Sequence, residues 1–101
     1  MTYSISISEA AENDISEAYL WYEDQKENLG SIFEVQFQRA VKSIRNNPFK
    51  TQIRYGNIRV YFLQKFPFGI HFEIKENDIR ILAVFQTSRD SEKWERRPGS
   101  T

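Results

Sequence analysis

Cysteine is absent from all 101 residues. That excludes disulfides, thiolate nucleophiles and thiolate metal sites together, and it suits a reducing compartment. Histidine occurs once, at His71, the only side chain here that titrates near neutrality without a perturbed environment. Glycine (4) and proline (3) are scarce, and there is no Gly-rich phosphate loop and no Ser-His-Asp order. No apolar run reaches the length of a membrane span. The opening MTYSISISEAAEND has neither a basic start nor an apolar signal core, so the expectation is a cytoplasmic protein. Charge of one sign is missing only in the sum. The net is zero, but residues 1–47 carry four Lys/Arg against eight Asp/Glu, and residues 48–101 carry ten against six. A split of −4 and +4 marks either a surface that meets an anion or an uneven solvated face.

What is present is a globular composition, 40% apolar and 15% aromatic, on a chain of the length of one domain, 1–101. YSISI (3–7) alternates with the period of a half-buried strand. Ser8 is placed to cap the next element, with Glu9 favourable beside a helix N-terminus. Ala11, Ile15, Ala18 and Tyr22 then recur at helical spacing, which predicts a helix from about Glu9 to Asn28. Gly30 suits a helix end, and Ser31 with Glu34 has capping-box spacing for a new start. Phe33, Phe37, Ala40, Val41 and Ile44 form the apolar stripe of a second helix, stopped at Pro48. The period then becomes two. IRVYFLQ (58–64), GIHFEIK (69–75) and DIRILAVFQ (78–86) read as strands, the last two joined by the polar turn KENDI. TQIRYGN (51–57) reads as a short extra strand or part of a hairpin. Residues 89–97 read as a short terminal helix, capped by Asp90 or Ser91. The predicted class is α+β: β-α-α-β-β-β, an antiparallel sheet with a helical hairpin on one face and a short C-terminal helix.

Strict alternation sorts the strands into two faces. Ile58, Val60, Phe62, Ile70, Phe72, Ile79, Ile81, Ala83 and Phe85 are expected to meet the helices. Arg59, Tyr61, His71, Arg80, Leu82, Val84 and Gln86 are expected on the open face. Such a face grips a polyanion through arginine donors and stacks unpaired bases on rings; it is equally an ordinary solvated sheet surface. Leu82 and Val84 need cover there, which Trp94 is placed to supply. RNA cleavage through the 2′-hydroxyl requires a base, a cation for the charge growing on phosphate, and an acid for the leaving oxygen. Arg59, Arg80 and Arg89 are the candidate cations and His71 the candidate proton carrier. Tyr61 and Gln86 are candidate substrate contacts. Each has a structural alternative: an outward strand histidine, and for Arg89 a helix-start ion pair with Asp90 or Glu92. Pro67 in FPF (66–68) is expected to shape a turn with the phenyl rings packed on it. Glu73, Glu76 and Asp78 are too scattered for a metal site, and no metal or cofactor is expected.

Nearly the whole chain resembles the RelE/ParE superfamily of type II toxins. The resemblance rests on AENDISEAYLWY in the first helix, LGSIF at the joint and NP after the second helix. It continues through FPFGIHFEI (66–74) and ILAVFQTSR (81–89), and ends with Trp94. It implies the toxin fold, a small antitoxin that neutralises it, and growth arrest by one of two routes. RelE-like members cleave mRNA at the ribosome without a metal. ParE-like members, the plasmid-stabilisation type, poison DNA gyrase and lack the nuclease residues. Many relatives carry His after the last strand where this sequence has Gln86. The neutral pI near 6.6 is also unlike a ribosome-dependent nuclease, which gains from counterion release. A non-catalytic domain that keeps the fold without toxicity is the alternative from another class. For an antitoxin, the helical hairpin offers Tyr19 and Trp21 as contacts, and the sheet offers unpaired edges.

Overall fold

The computed structural model describes residues 2–87. The predicted terminal helix, with Arg89 and Trp94, lies outside them. The order is β1 (Ser4–Ile7), α1 (Glu9–Gln25), α2 (Leu29–Asn46), a 3-10 turn (Pro48–Lys50), β2 (Ile53–Tyr55), β3 (Ile58–Phe62), β4 (Phe68–Lys75) and β5 (Asp78–Gln86). One five-stranded sheet runs β1-β5-β4-β3-β2. The class is α+β as expected, but the sheet is only mostly antiparallel. β1 lies parallel to β5, Ser4 opposite Asp78 and Ile7 opposite Ile81, because the helical hairpin carries the chain back before the later strands form.

The helix joint departs from the expected capping box. α1 ends at Gln25, three residues early, and Gly30 and Ser31 lie inside α2. The N-terminus of α2 is capped from its neighbour: Glu23 carboxylate oxygens accept the Asn28 N–H at 2.9 Å and the Gly30 N–H at 3.0 Å. This supplies acceptors for donors that a helix start leaves free. Asn28 takes the left-handed turn at φ 73°, which asparagine tolerates well. Gly30 serves close approach instead of a turn. A Cβ there would stand 2.6 Å from the Tyr19 carbonyl oxygen.

α1 lies against β5, and its polar side chains finish the edge of β5 that β1 is too short to cover. Ser8 donates its N–H to the Ile81 carbonyl (3.0 Å) and its hydroxyl to the Leu82 carbonyl (3.3 Å), while its Oγ accepts the Ala11 N–H as N-cap. The Asp14 carboxylate accepts the Val84 N–H at 2.9 Å. Three groups of an exposed edge are thereby satisfied by one helix.

The core between hairpin and sheet holds Ala11, Ala18, Tyr22, Phe33, Phe37, Ala40 and Ile44 from the helices with Phe66, Phe68, Ile70, Phe72, Ile79, Ile81 and Val84 from the sheet. Phe66 and Phe68 flank Pro67 at the β3–β4 turn and are both buried. They enter an aromatic cluster with Tyr22 and Phe33, with ring centroids 4.8 Å apart for Tyr22–Phe66 and 5.3 Å for Phe33–Phe68.

Two parts of the face assignment are corrected. In β5, Ile81 pairs with Phe72 and Ala83 with His71, leaving Leu82 as the extra residue of a bulge. A bulge reverses parity beyond it, so Ile79 and Ile81 face the helices, and so does Val84, whereas Ala83 and Phe85 turn away. In β3 the parity is inverted throughout. Val60 stands opposite His71 and Tyr61 opposite Ile70, and Tyr61 packs on the helix-side core. Val60 is buried, but on the side away from the helices. Alternation failed because both sides of the central strands are apolar, so hydrophobicity alone does not choose between them.

Candidate functional surface

Arg59 shares its side of β3 with Tyr61, below the C-terminal part of α2. Its guanidinium donates to the Thr51 carbonyl and lies over the Phe49 ring, 5.1 Å from the centroid. Tyr61 lines a small cleft under Gln36, Arg39, Ala40 and Ser43 of α2. Both residues therefore sit on the helix side of the sheet, and the expectation that they share the open face with Arg80 is overturned by the register of β3.

Arg80 does occupy the open face, opposite Glu73 of β4 and Ser6 of β1. Its guanidinium stands 3.4 Å from Asp78 Oδ2 and 4.0 Å from Glu73 Oε2. Asp78 in turn accepts the Ser4 hydroxyl at 2.8 Å and the Ser6 hydroxyl at 2.9 Å. Those two hydroxyls hold the Asp78 carboxyl below its ordinary value; burial opposes them, and Arg80 adds a lesser lowering. Arg80 is thus engaged by carboxylates and belongs to an electrostatic seam along β1, β4 and β5.

His71 is on the side away from the helices but is not an outward surface residue, being 0% exposed. Its Nδ1 shares a 2.7 Å hydrogen bond with the Tyr55 hydroxyl, and its ring meets Phe85 edge-on at 5.2 Å. Tyr55 was missed by the sequence reading. Its place in a three-residue edge strand carries no periodic signal, and only the return of β2 along β3 brings it above β4. Gln86 ends β5 opposite Phe68 on the helix side. There it lines a cleft of about 430 Å³ with Asn13, Asp14, Glu17 and Trp21 of α1.

The structure therefore separates the candidate residues. Arg59 and Tyr61 lie under α2, Gln86 beside α1, and Arg80 and His71 across the sheet from all three. Arg59 and Arg80 do not share one basic surface, and Arg89 lies outside the described residues. No group of three or more His, Cys, Asp or Glu among the described residues is arranged to hold a metal. No described helix is long and apolar enough to cross a membrane. On the hairpin, Tyr19 is half-buried and Trp21 is 55% exposed, edge-on to Tyr22 at 5.1 Å. Leu20, Ile32 and Val35 are also exposed on the hairpin, and Ile15, Tyr19, Leu20 and Glu34 line a groove between the two helices.

Against known proteins, the family described as the ParE toxin of the type II toxin–antitoxin system, parDE, matches residues 5–91. The chain belongs to the ParE toxin family. Among solved structures, this ParE-family chain resembles one described as the chromosomal ParDE toxin–antitoxin system from P. aeruginosa. The TM-score is 0.77 at 18% identity, over 86% of this chain and 98% of that one. It also resembles the toxin–antitoxin complex RelBE2 from Mycobacterium tuberculosis, with a TM-score of 0.57 at 13% identity, over 85% of this chain and 99% of that one. At such identities the likeness is one of fold. No curated protein matches the sequence significantly.

Proposed function

We propose that this chain is the toxin of a type II toxin–antitoxin pair, that it arrests growth by engaging DNA gyrase without cutting RNA, and that a small antitoxin silences it. The observation that carries the gyrase side of the choice is the dispersal of the candidate catalytic groups. His71, the one imidazole, is buried against Tyr55 and Phe85. Arg59 and Arg80 stand on opposite sides of the sheet, each already engaged by chain atoms. In-line phosphate chemistry needs a base, an acid and a cation about one reacting centre, and the described residues do not converge in that way. Family membership supports the toxin reading, and the two solved relatives, described as toxin–antitoxin systems, support an antitoxin partner.

The antitoxin is read as docking on the hairpin, where Tyr19 and Leu20 line the groove between the helices and Trp21 lines the cleft beside Gln86, so that α1 offers exposed apolar side chains on an otherwise polar surface. An amphipathic helix laid in the groove would cover them.

Pulse labelling after induction tests the target. DNA synthesis should fall first, with protein synthesis following, and the purified chain should inhibit supercoiling by gyrase. Early loss of protein synthesis with cut mRNA would make the chain a ribosome-dependent nuclease. No growth arrest, and no binding by the product of the adjacent reading frame, would leave an inert domain of the toxin fold.

A further inference from the structure

The charge of this chain is segregated more sharply than its halves suggest. Residues 9–34 hold eight acidic side chains and one lysine, a net of −7, whereas residues 35–72 hold seven Lys/Arg and no acid, a net of +7. The two stretches meet where α2 packs on α1 and part at the sheet. α1 packs over β5, and the basic stretch runs from α2 beyond Glu34 through the 3-10 turn to β2 and β3 at the far edge of the sheet. Arg39, Lys42, Lys50, Arg54 and Lys65 are exposed and Arg59 is half-exposed, whereas Arg45 donates to the Tyr3 carbonyl at 2.9 Å, beside β1. The Arg59 guanidinium over Phe49 ties β3 to the turn that follows α2, and Arg54 over Phe62, at 5.1 Å, ties β2 to β3. The cations thus gather on α2, the turn and the β2–β3 edge, with the Arg59 and Arg54 guanidinia on either side of that edge.

We propose that this basic stretch binds the phosphate backbone of duplex DNA without sequence specificity. Three observations choose that partner. The cations are spread over a helix, a turn and an edge strand, with Glu34 beside Arg39 and Lys42, and this excess of cations suits a ligand of dense, regular negative charge. The exposed rings nearby, Phe49 and Phe62, each have an arginine over one face. They also belong to opposite sides of the sheet, Phe49 with Arg59 and Phe62 with Val60. They do not form the stacking platform that a single strand uses. The acidic α1 orients the whole dipole, so the basic stretch meets a polyanion although the net charge is zero. The surface does not depend on gyrase being the target. A chain that binds duplex but leaves gyrase untouched keeps this inference and loses the other.

The experiment is fluorescence anisotropy of the full chain with a labelled duplex of about 20 base pairs, across a salt series. With about six phosphates engaged, affinity should fall about a thousand-fold between 50 and 200 mM salt. Lys42→Gln, Lys50→Gln and Arg54→Gln should each weaken binding at 50 mM salt and lower the log–log salt slope by about one. Lys26→Gln makes the same charge change beside the acidic helix and should leave both unchanged. Circular dichroism checks that every variant is folded. No duplex binding at 50 mM salt would overturn the proposal. So would tighter binding of a single strand of equal length, equal competition by polyglutamate, or a loss in Lys26→Gln matching that in Lys50→Gln.

Discussion

Gly30 shows how one side chain's absence positions two helices. A Cβ there would press on the Tyr19 carbonyl at 2.6 Å and the Tyr19 ring at 3.1 Å. Gly30→Ala gains about 1 kcal/mol of helix propensity but overpacks a backbone contact, which costs about 1–3 kcal/mol. The net should be a loss, read as a lower denaturant midpoint at unchanged slope; a stabilised variant would show that the helices separate freely. Asp78 is the second residue-scale case. The Ser4 and Ser6 hydroxyls, and then Arg80, stabilise its charged form and depress its folded-state pKa. The stability it contributes is present above the unfolded value of about 3.9 and is lost as pH falls through the lower folded value. Asp78→Asn should therefore flatten the acid limb of the stability curve below about pH 4, with little change in slope at neutral pH. An unaltered acid limb would mean the seam along β1 is not formed in solution. Neither residue announced its role. Gly30 reads as a helix stop in any sequence, and the partners of Asp78 lie 72 and 74 positions away.

At the scale of elements, α2 was legible because its stripe is one-sided. Phe33, Phe37, Ala40 and Ile44 recur on one face, and all four are buried as that spacing demands. Phe37→Ala, which removes a ring that is 2% exposed, should cost about 3–5 kcal/mol, seen in chemical denaturation; an unchanged midpoint would refute the packing of hairpin on sheet. The strands themselves were legible too, because β-branched and aromatic residues punctuated by polar turns leave few other readings. Which way they face was not. Val60 and Tyr61 are both apolar enough for a core, and the choice between them is made by pairing with His71 and Ile70, a non-local fact. Leu82 looks like any strand residue, yet as a bulge it turns Val84 inward and Phe85 outward. The candidate site inherited this error. Arg59 was grouped with Arg80 by parity, and once parity failed the grouping went with it.

At the scale of the molecule, the fold leaves apolar side chains exposed on an acidic helix hairpin. On the proposed reading the antitoxin seats on α1. Leu20 is 65% exposed and Trp21 55% exposed, an unusual amount of apolar surface to leave on a helix that carries no Lys or Arg between Glu9 and Gln25. Trp21 also rests edge-on against Tyr22, so its ring is held in place before any partner arrives, which reduces the entropy cost of binding. Tryptophans placed this way commonly dominate interface energy. Trp21→Ala should weaken the complex with the product of the adjacent reading frame by about 2 kcal/mol or more, close to thirtyfold in dissociation constant, measured by calorimetry. Because the ring is mostly outside the core, thermal stability of the isolated chain should change far less than in Phe37→Ala, and that difference separates an anchor from a core residue. An unchanged dissociation constant would move the antitoxin off the hairpin. The free edges of β1 and β2 would then be the remaining described surfaces on which an extended peptide can complete the sheet.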